Sequence, residues 1–407
     1  MGSPVRTLIR KRTFDASAMV RAVDQTLSEK DRRRGLIAAI ASIAIFGASL
    51  GHSLPFFAVL LEGYGASNSF IGLNTAATAF FALLITPFLP KLIGRFGIRP
   101  LMVAAFAVIY LGYATAFLAK DTLWLWFVVR LCFGLGGVAL FVASEVWINL
   151  VAPPEKRGSV IGIYATALAA GFAAGPIALE VTGYAGVAPF LAGVAFLLAA
   201  APPILMAPAP PFDPNEQSAS LTAMARLAPA IFVAVGIFAA AEGVMMGLAP
   251  VYGIRLGMAQ ETAGRIVFAY ALGPIAFQYL IGRAIDQFRP MTIFFVCASV
   301  GVAGAFALPL AAQSEISLYT LLVFWGGAIV GLNTCALTFI GARFKGQELA
   351  AANAGMAFAY QAGALIGPAA TGPMMDLYGP NALAYTLGGF FIALLAFLLR
   401  RRHAETP

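Results

Sequence analysis

The chain has 407 residues, of which 60% are hydrophobic and only 11% are charged. A soluble domain normally carries about 25% charged residues, so this composition excludes an ordinary soluble protein. The formal net charge of +8 follows the polar segments between apolar runs, and we interpret it as membrane topology and not as nucleic-acid binding.

The chain begins with a polar, basic segment over residues 1–35, which holds nine Lys and Arg residues. The apolar run that follows is too long for the core of a cleaved signal peptide. We therefore expect this segment to stay attached as a cytoplasmic extension.

Twelve apolar runs of about 17–27 residues follow, each long enough to cross roughly 30 Å of hydrocarbon as a helix. The sequence predicts an all-α integral membrane protein with twelve transmembrane helices. In chain order, predicted spans 1 to 12 cover 36–61, 70–90, 100–119, 123–150, 159–180, 186–206, 227–252, 262–282, 291–311, 317–341, 351–376 and 381–400.

The basic residues fall almost entirely on one side of the predicted membrane. Segments on the same side as the N-terminus hold 22 Lys and Arg, those on the opposite side hold three, and Arg130 lies inside span 4. The positive-inside rule then places both termini in the cytoplasm. We expect the protein to lie in an inner or plasma membrane.

The stretch "GFAAGP" (171–176) is repeated as "GALIGP" (363–368), at an offset of 367 − 175 = 192 residues. Phe46 and Phe238 match at the same offset, as do Gly72 and Gly264. One six-span half is therefore written twice in the same orientation. The predicted domains are the N-terminal segment 1–35, the first half 36–206, a linker 207–226, the second half 227–400 and a tail 401–407.

Four stretches of the chain resemble the signatures of the major facilitator superfamily. They are "GRFGIRP" (94–100) with its second copy "GRAIDQFRP" (282–290), "RLCFGLG" (130–136), "APPEKRGSVIGIY" (152–164) and the repeated glycine-proline motif. The loop signature departs from the family pattern, because Gly94 stands at its acidic position and Arg289 at its turn glycine.

The resemblance implies two six-helix halves in parallel pseudo-repeat that rock about a central site. The glycine-proline motif resembles span 5 of the drug/proton antiporters, although its repetition is explained equally well by close helix packing. "EVWIN" (145–149) followed by "APPEKRG" is similar to the YcaD-like branch of the superfamily.

Three ionisable residues lie within spans and are candidates for proton coupling: Glu242, His52 and Arg130. An ionisable group in hydrocarbon costs about 2.5–3.5 kcal/mol, so each needs a partner or a polar cavity. The alternatives are a buried carboxylic acid for Glu242, a packing histidine for His52, and for Arg130 an ion pair with Glu62. The resemblance implies that Arg130 influences proton transfer at a nearby acid.

The resemblance also implies a gate at the cytoplasmic ends of the spans, where an acid lies against a helix start of the other half. Asp286 would approach Arg157 at the start of span 5, and Glu145 would pair with Arg95 or Arg99. An ordinary loop carrying positive-inside charge is the alternative. The candidate gating residues are Asp286, Gly282, Arg95, Arg99, Arg157 and Glu145.

Further residues are candidates for lining the cavity or for packing helices. The cavity candidates are Phe56, Tyr164, Tyr270, Gln278, Asn333, Tyr360 and Gln361, for which hydrogen bonding between helices is an equally good account. The packing candidates are Gly171, Gly175, Pro176, Gly363, Gly367 and Pro368.

We find no phosphate-binding P-loop and no metal-ligand spacing of His and Cys, so we expect neither an enzyme nor a bound cofactor or metal. The sequence predicts a secondary transporter in the lipid bilayer, functional as a monomer and without nucleic-acid partners. Its cargo would be a small organic molecule moved by proton-coupled efflux. The alternatives are proton-coupled uptake of a polar nutrient or organic anion, and a non-transporting receptor or assembly factor on the same scaffold.

Overall fold

The computed structural model of the chain describes residues 28–153, 156–208, 229–344 and 346–404, without the side chains of residues 157, 158, 278, 286, 342, 346–351 and 401–404. Residues 1–27 of the predicted N-terminal segment, 209–226 of the predicted linker and 405–407 of the predicted tail therefore lie outside the described residues.

The described residues form twelve helical spans, which we number α1 to α12 after predicted spans 1 to 12. The single-piece helices are α1 (Glu29–Gly63), α3 (Ile98–Ala119), α4 (Leu125–Val151), α5 (Arg157–Thr182), α6 (Ala188–Met206), α8 (Gln260–Gln287), α9 (Pro290–Ala311), α10 (Glu315–Arg343), α11 (Gly346–Tyr378) and α12 (Ala382–Ala404). Two are interrupted: α2 (Asn68–Ile85, a 3-10 turn Thr86–Phe88, then Leu89–Phe96) and α7 (Pro229–Gly247, then Ala249–Arg255).

Ten of these helices are long and apolar enough to cross a membrane. An eleventh is α8, whose parts Gln260–Phe277 and Tyr279–Ile285 meet at a bend of 48° shortly after Pro274. Helix α11 is less apolar but has 33 residues, which span about 50 Å at 1.5 Å per residue. It packs against α7 on one side and α2 on the other, so it needs little apolar surface facing lipid.

The two halves repeat the same helix pairing. In the first half α1 packs along α5, and in the second half α7 packs along α11. Between the halves, α2 packs against α11 and α8 against α5. The predicted architecture of twelve helices in two six-helix halves is confirmed.

The ends of the bundle are distinguished by where the chain leaves it. The tail end of the bundle is the end at which α1 begins and α12 ends. The far end is the opposite one, at which α1 ends and α12 begins. The break in α7 lies toward the far end, at Leu248 just before Pro250, a residue that cannot donate a helical hydrogen bond. At this break Gly247 contacts Thr75 of α2.

Candidate transport site

At the far end, a carboxylate of one half holds a helix start of the other. Asp376, near the end of α11, accepts hydrogen bonds from the backbone N–H groups of Asn68 (2.9 Å) and Ser69 (2.7 Å). It also accepts from Asn68 Nδ2 (2.8 Å) and Ser69 Oγ (2.5 Å). The first turn of a helix has free N–H groups and the positive end of the helix dipole, so an anion there is stabilised. We call this contact the Asp376 latch.

Glycines allow α2 and α11 to come close enough for the latch to form. A Cβ atom on Gly72 would collide with the carbonyl of Pro368 and touch Gly372, and one on Gly372 would collide with the carbonyl of Asn68. The two backbones are therefore in direct contact one turn below the Asp376 latch.

A second contact joins the halves between α5 and α8. Arg265 donates to both carboxylate oxygens of Glu180, at 2.9 and 3.0 Å. Next to it, Gly264 leaves no room for a side chain because the hydroxyl of Tyr184 lies against it. Gly264 is the repeat equivalent of Gly72 (264 − 72 = 192), so the α5–α8 contact is the pseudo-symmetric counterpart of the α2–α11 contact.

The repeated glycine-proline motif lies where the helices of each half touch. A Cβ atom on Gly171 would collide with the carbonyl of Ala44, and one on Gly363 with that of Gly236. Gly175 and Gly367 face α1 and α7 in the same way. Pro176 and Pro368 follow inside their helices, and Pro368 lies at the α2–α11 contact.

Glu242 lies in the middle of α7 and is half-buried. The hydroxyl of Tyr360 on α11 donates a hydrogen bond to one of its carboxylate oxygens, and Tyr270 of α8 lies close enough to interact electrostatically. Within the described residues, Glu242 forms no ion pair with a Lys or Arg. It is thus a carboxyl group deep in the bundle whose contacts are neutral.

His52 packs toward α3 and α6 and not toward the second half. Its ring is fully buried inside the first half, with Nδ1 3.2 Å from the Tyr113 hydroxyl. It packs on the rings of Phe56, Tyr113 and Phe196, which come from α1, α3 and α6. Sequence register gives the depth of a residue along a helix but not the face, and here the face is turned away from the other half.

Arg130 is fully buried in the first half, and among the described residues it does not form the ion pair with Glu62 that was the alternative to a role in proton coupling. Its Nε donates to Asn74 Oδ1 at 2.7 Å, and its guanidinium carbon lies 5.4 Å from the centre of the Phe57 ring. Glu62, the expected alternative partner, pairs instead with Arg255 of α7 at 2.8 Å. In the described part of the chain no carboxylate pairs with Arg130, and both of its Nη atoms lack a hydrogen-bond partner.

Glu145 lies toward the tail end of α4. Contrary to the sequence prediction, it forms no ion pair with Arg95 or Arg99 among the described residues. Arg99 donates to the carbonyl of Ala207 at 2.5 Å, and Arg95 lies over its neighbour Phe96. The Glu145 side chain is exposed, and it lies close enough to Tyr164 of α5 to interact electrostatically.

Residues next to Glu145 form a contact between α4 and α5. The hydroxyls of Ser144 and Tyr164 lie 2.8 Å apart, and both side chains are buried. Tyr164 is therefore a neighbour of Glu145 on the first half, as Tyr360 is a neighbour of Glu242 on the second.

The remaining predicted residues differ in how far they are buried. Phe56 is fully buried against His52 and Phe190, so it packs the first half and does not line a cavity. Asn333 and Gln361 are half-buried, and Gly282 has open space at its Cβ position. The side chains of Asp286, Arg157 and Gln278 lie outside the described residues.

Sequence reasoning missed the residues that join the halves at the far end. One available signal is the spacing Gly372-x-x-x-Asp376, which matches the spacing of Gly282 and Asp286 in the loop signature after span 8. Another is charge: Arg255 and Arg265 are two of the three basic residues predicted on that side, and both pair with a glutamate of the other half.

The sequence model of the Major Facilitator Superfamily matches residues 37–264 and again residues 231–407. The chain belongs to the major facilitator superfamily. The double match agrees with the two halves seen in the fold, and it makes this chain a multi-pass membrane transporter of that superfamily.

Curated relatives of this superfamily member carry equally general descriptions. The uncharacterised MFS-type transporter YfkF of Bacillus subtilis (strain 168) is 25% identical over 370 residues, covering 87% of this chain and 93% of that protein. The uncharacterised MFS-type transporter YcaD of Escherichia coli (strain SE11) is 26% identical over 290 residues, covering 70% of this chain and 74% of that protein.

Solved structures of the superfamily share the fold. The nucleoside transporter NupG superposes with a TM-score of 0.71 at 13% identity, covering 91% of this chain and 98% of its own. A D-xylose-proton symporter superposes with a TM-score of 0.72 at 17% identity, covering 89% and 96%. At these identities the likeness establishes architecture alone.

Proposed function

We propose that this transporter moves a small organic molecule by alternating access, couples the movement to protons, and works in the efflux direction. The observation that carries the proposal is Glu242, a half-buried carboxyl group in mid-bundle with no cationic partner among the described residues. A carboxyl group in such surroundings can exist neutral or charged, which is the property that a proton carrier needs.

The far-end contacts support the alternating-access part of the proposal. The Asp376 latch, the Glu180–Arg265 pair and the Glu62–Arg255 pair all join one half to the other, and all lie at one end of the bundle. A central site between halves held together at one end is reached from the opposite end. With the tail end in the cytoplasm, as the positive-inside rule predicts, the site would face the cytoplasm and receive a molecule to be exported.

The role of Tyr360 follows from its hydrogen bond. Its hydroxyl donates to Glu242 and stabilises the ionised carboxylate after the proton has left, so the glutamate can stay charged without an ion pair. We therefore assign Glu242 as the proton carrier and Tyr360 as its positioning residue.

Proton-coupled uptake of an organic anion is the competing function, favoured by the two unpartnered Nη atoms of Arg130. Arg130 is fully buried behind Phe57 and Asn74, however, so an anion would reach it only after α1 or α2 moved. We prefer efflux because Glu242, the assigned proton carrier, is only half-buried and can be reached without a helix movement.

The proposal is tested with purified full-length protein in proteoliposomes, using a compound that raises its melting temperature in a screen of metabolites and antibiotics at two pH values. A pH gradient is then imposed in either direction. We expect the compound to move in the direction opposite to the protons, and we expect Glu242→Gln to lose most of this flux. Flux along the proton gradient would support uptake, and binding without any flux would support a receptor.

A further inference from the structure

A groove at the far end of the first half lies between the ends of α1 and α3 and the start of α6, and we call it the α3–α6 groove. Its volume is about 460 Å³, which is within the roughly 300–1,000 Å³ that ligand pockets occupy. The apolar side chains that line it are Leu60, Phe117, Val187 and Phe190, and the polar ones are Tyr64, Lys120 and Asp121. All of them belong to the first half.

The exposed apolar residues around the groove place it at the surface of the membrane. Trp124 follows Lys120 and Asp121 in the loop between α3 and α4, and it is 66% exposed. Leu118, in the last turn of α3, is 73% exposed. Tryptophan is enriched where the hydrocarbon meets the headgroups, and an exposed leucine of a span faces hydrocarbon. The α3–α6 groove therefore lies at the depth of the lipid headgroups on the far side of the membrane.

Two adjacent residues of opposite charge lie at this depth. Lys120 and Asp121 are both exposed, and neither forms an ion pair among the described residues. Tyr64 lies close enough to Asp121 to interact electrostatically. Because the two charges are neighbours in the chain, a ligand with an anion and a cation on one headgroup can pair with both, whereas a ligand with a single charge leaves one of them unpaired. The groove thus has the charge pattern that fits a zwitterion.

The backbone of Lys120 has a conformation that favours glycine. Its φ is 44° and its ψ is −122°, and it is the one non-glycine residue with positive φ in the described part of the chain. The buried Trp126 holds this turn in place, because its indole N–H donates to the Lys120 carbonyl at 3.0 Å. A glycine would avoid the strain, and residues with strained backbones cluster at binding sites. We therefore expect the lysine side chain to serve a purpose other than folding.

We propose that the α3–α6 groove binds a phospholipid of the far-side leaflet whose headgroup carries a phosphate and a primary ammonium group, as in phosphatidylethanolamine. The Lys120 side chain pairs with the phosphate, and the Asp121 carboxylate accepts hydrogen bonds from the ammonium group of the lipid. One acyl chain begins against Phe117, Val187 and Phe190 and continues into the hydrocarbon. Such a site does not depend on the direction or the coupling of transport.

The same contacts discriminate against other phospholipid headgroups. The trimethylammonium group of phosphatidylcholine has no N–H to donate to Asp121, although the net charge of that lipid is the same. Phosphatidylglycerol has no cation, so its headgroup leaves Asp121 unpaired. Exposed basic residues at the tail end, such as Lys91 and Arg289, attract anionic lipids on the opposite side of the membrane. A comparison of ethanolamine with choline at equal net charge is therefore the measurement that reports on the α3–α6 groove.

The test uses purified full-length protein in detergent with equal amounts of palmitoyl-oleoyl phosphatidylethanolamine and palmitoyl-oleoyl phosphatidylcholine, which share their acyl chains. Native mass spectrometry measures how much of each lipid is bound. We expect ethanolamine adducts to exceed choline adducts about threefold or more, because an N–H donor to a carboxylate forms a charge-assisted hydrogen bond. Equal binding of the two lipids, or a preference for choline, overturns the proposal.

Two variants assign the binding to the groove. Asp121→Asn should lose most of the ethanolamine preference. Lys120→Gly should bind about threefold less of the ethanolamine lipid, yet its melting temperature in lipid-free detergent should rise by about 1–3 °C, because glycine relieves the backbone strain. Glu315→Gln, at an exposed far-end glutamate of the second half, is the matched control and should keep the wild-type preference.

The variants also give the results that would contradict a zwitterion site. An ethanolamine preference that survives Asp121→Asn, or ethanolamine binding that is unchanged in Lys120→Gly, overturns the proposal. Phosphatidylglycerol binding that Lys120→Gly removes and Asp121→Asn strengthens would identify an anionic-lipid site in its place.

Discussion

Glu62 at the end of α1 and Arg255 at the end of α7 form an ion pair, with Oε1 and Nε 2.8 Å apart, although the two residues are 193 positions apart in the chain. The repeat offset is 192, so the pair joins nearly equivalent positions of the two halves. Such positions meet only at the pseudo-symmetry axis. The pair therefore marks the centre of the far-end closure, with the Asp376 latch on one side and the Glu180–Arg265 pair on the other.

The first prediction concerns the Asp376 latch. Asp376→Asn removes the charge that the first turn of α2 stabilises, a loss of about 1–2 kcal/mol, which changes the ratio of open to closed far ends about five- to thirty-fold. Spin labels at Lys120 and Gln313, exposed in far-end loops of different halves, report the distance by double electron–electron resonance. We expect a longer-distance population in Asp376→Asn.

The matched control is Asp31→Asn, the same charge change at the tail end, where the hydrogen-bond partner of Asp31 among the described residues is Ser28 of its own helix start. It should leave the distances unchanged. Identical distributions for Asp376→Asn and wild type would show that the Asp376 latch does not hold the far end closed.

The second prediction concerns close helix packing in α5. Gly171→Ala places a methyl group onto the carbonyl of Ala44 and should lower the melting temperature, because α1 and α5 must separate. Gly162→Ala in the same helix meets open space and should be neutral or raise it, since alanine favours helix over glycine by about 0.5–1 kcal/mol. Equal melting temperatures for the two variants would contradict the packing role of the motif.

The number of spans, their boundaries to within seven residues and the two halves were predictable, because hydrocarbon thickness sets run length and the repeat is written in the sequence. The orientation of the His52 side chain was not predictable. In a membrane, lipid and a neighbouring helix are equally apolar, so the composition of α1 does not reveal which face meets α3 and α6. The Asp376 latch was also out of reach, since it depends on α2 and α11 meeting across 308 residues.

The third prediction concerns Arg130, which lies in the first half and has no carboxylate partner among the described residues. Arg130→Met alone leaves Asn74 without its donor, whereas Arg130→Met with Asn74→Leu removes both polar groups. Replacing both partners of a buried hydrogen bond is nearly neutral or stabilising. We expect the double variant to melt at or above the wild-type temperature while losing transport.

That combination would mean that Arg130 is retained for the transport cycle and not for folding. A double variant that melts well below wild type but still transports would contradict this interpretation.

The fourth prediction concerns His52. His52→Phe keeps an aromatic ring in the cluster of Phe56, Tyr113 and Phe196. We expect the pH profile of transport to remain that of wild type. A shifted profile in proteoliposomes would return His52 to the proton pathway.

The most direct test of the account compares two modes of transport in Glu242→Gln, with Tyr360→Phe as the companion variant. Exchange of labelled for unlabelled compound across the membrane needs no net proton movement, whereas accumulation driven by a pH gradient does. We predict that Glu242→Gln retains exchange and loses gradient-driven accumulation, and that Tyr360→Phe retains both at reduced rate. Accumulation at the wild-type level in Glu242→Gln would contradict the assignment of Glu242 as the proton carrier.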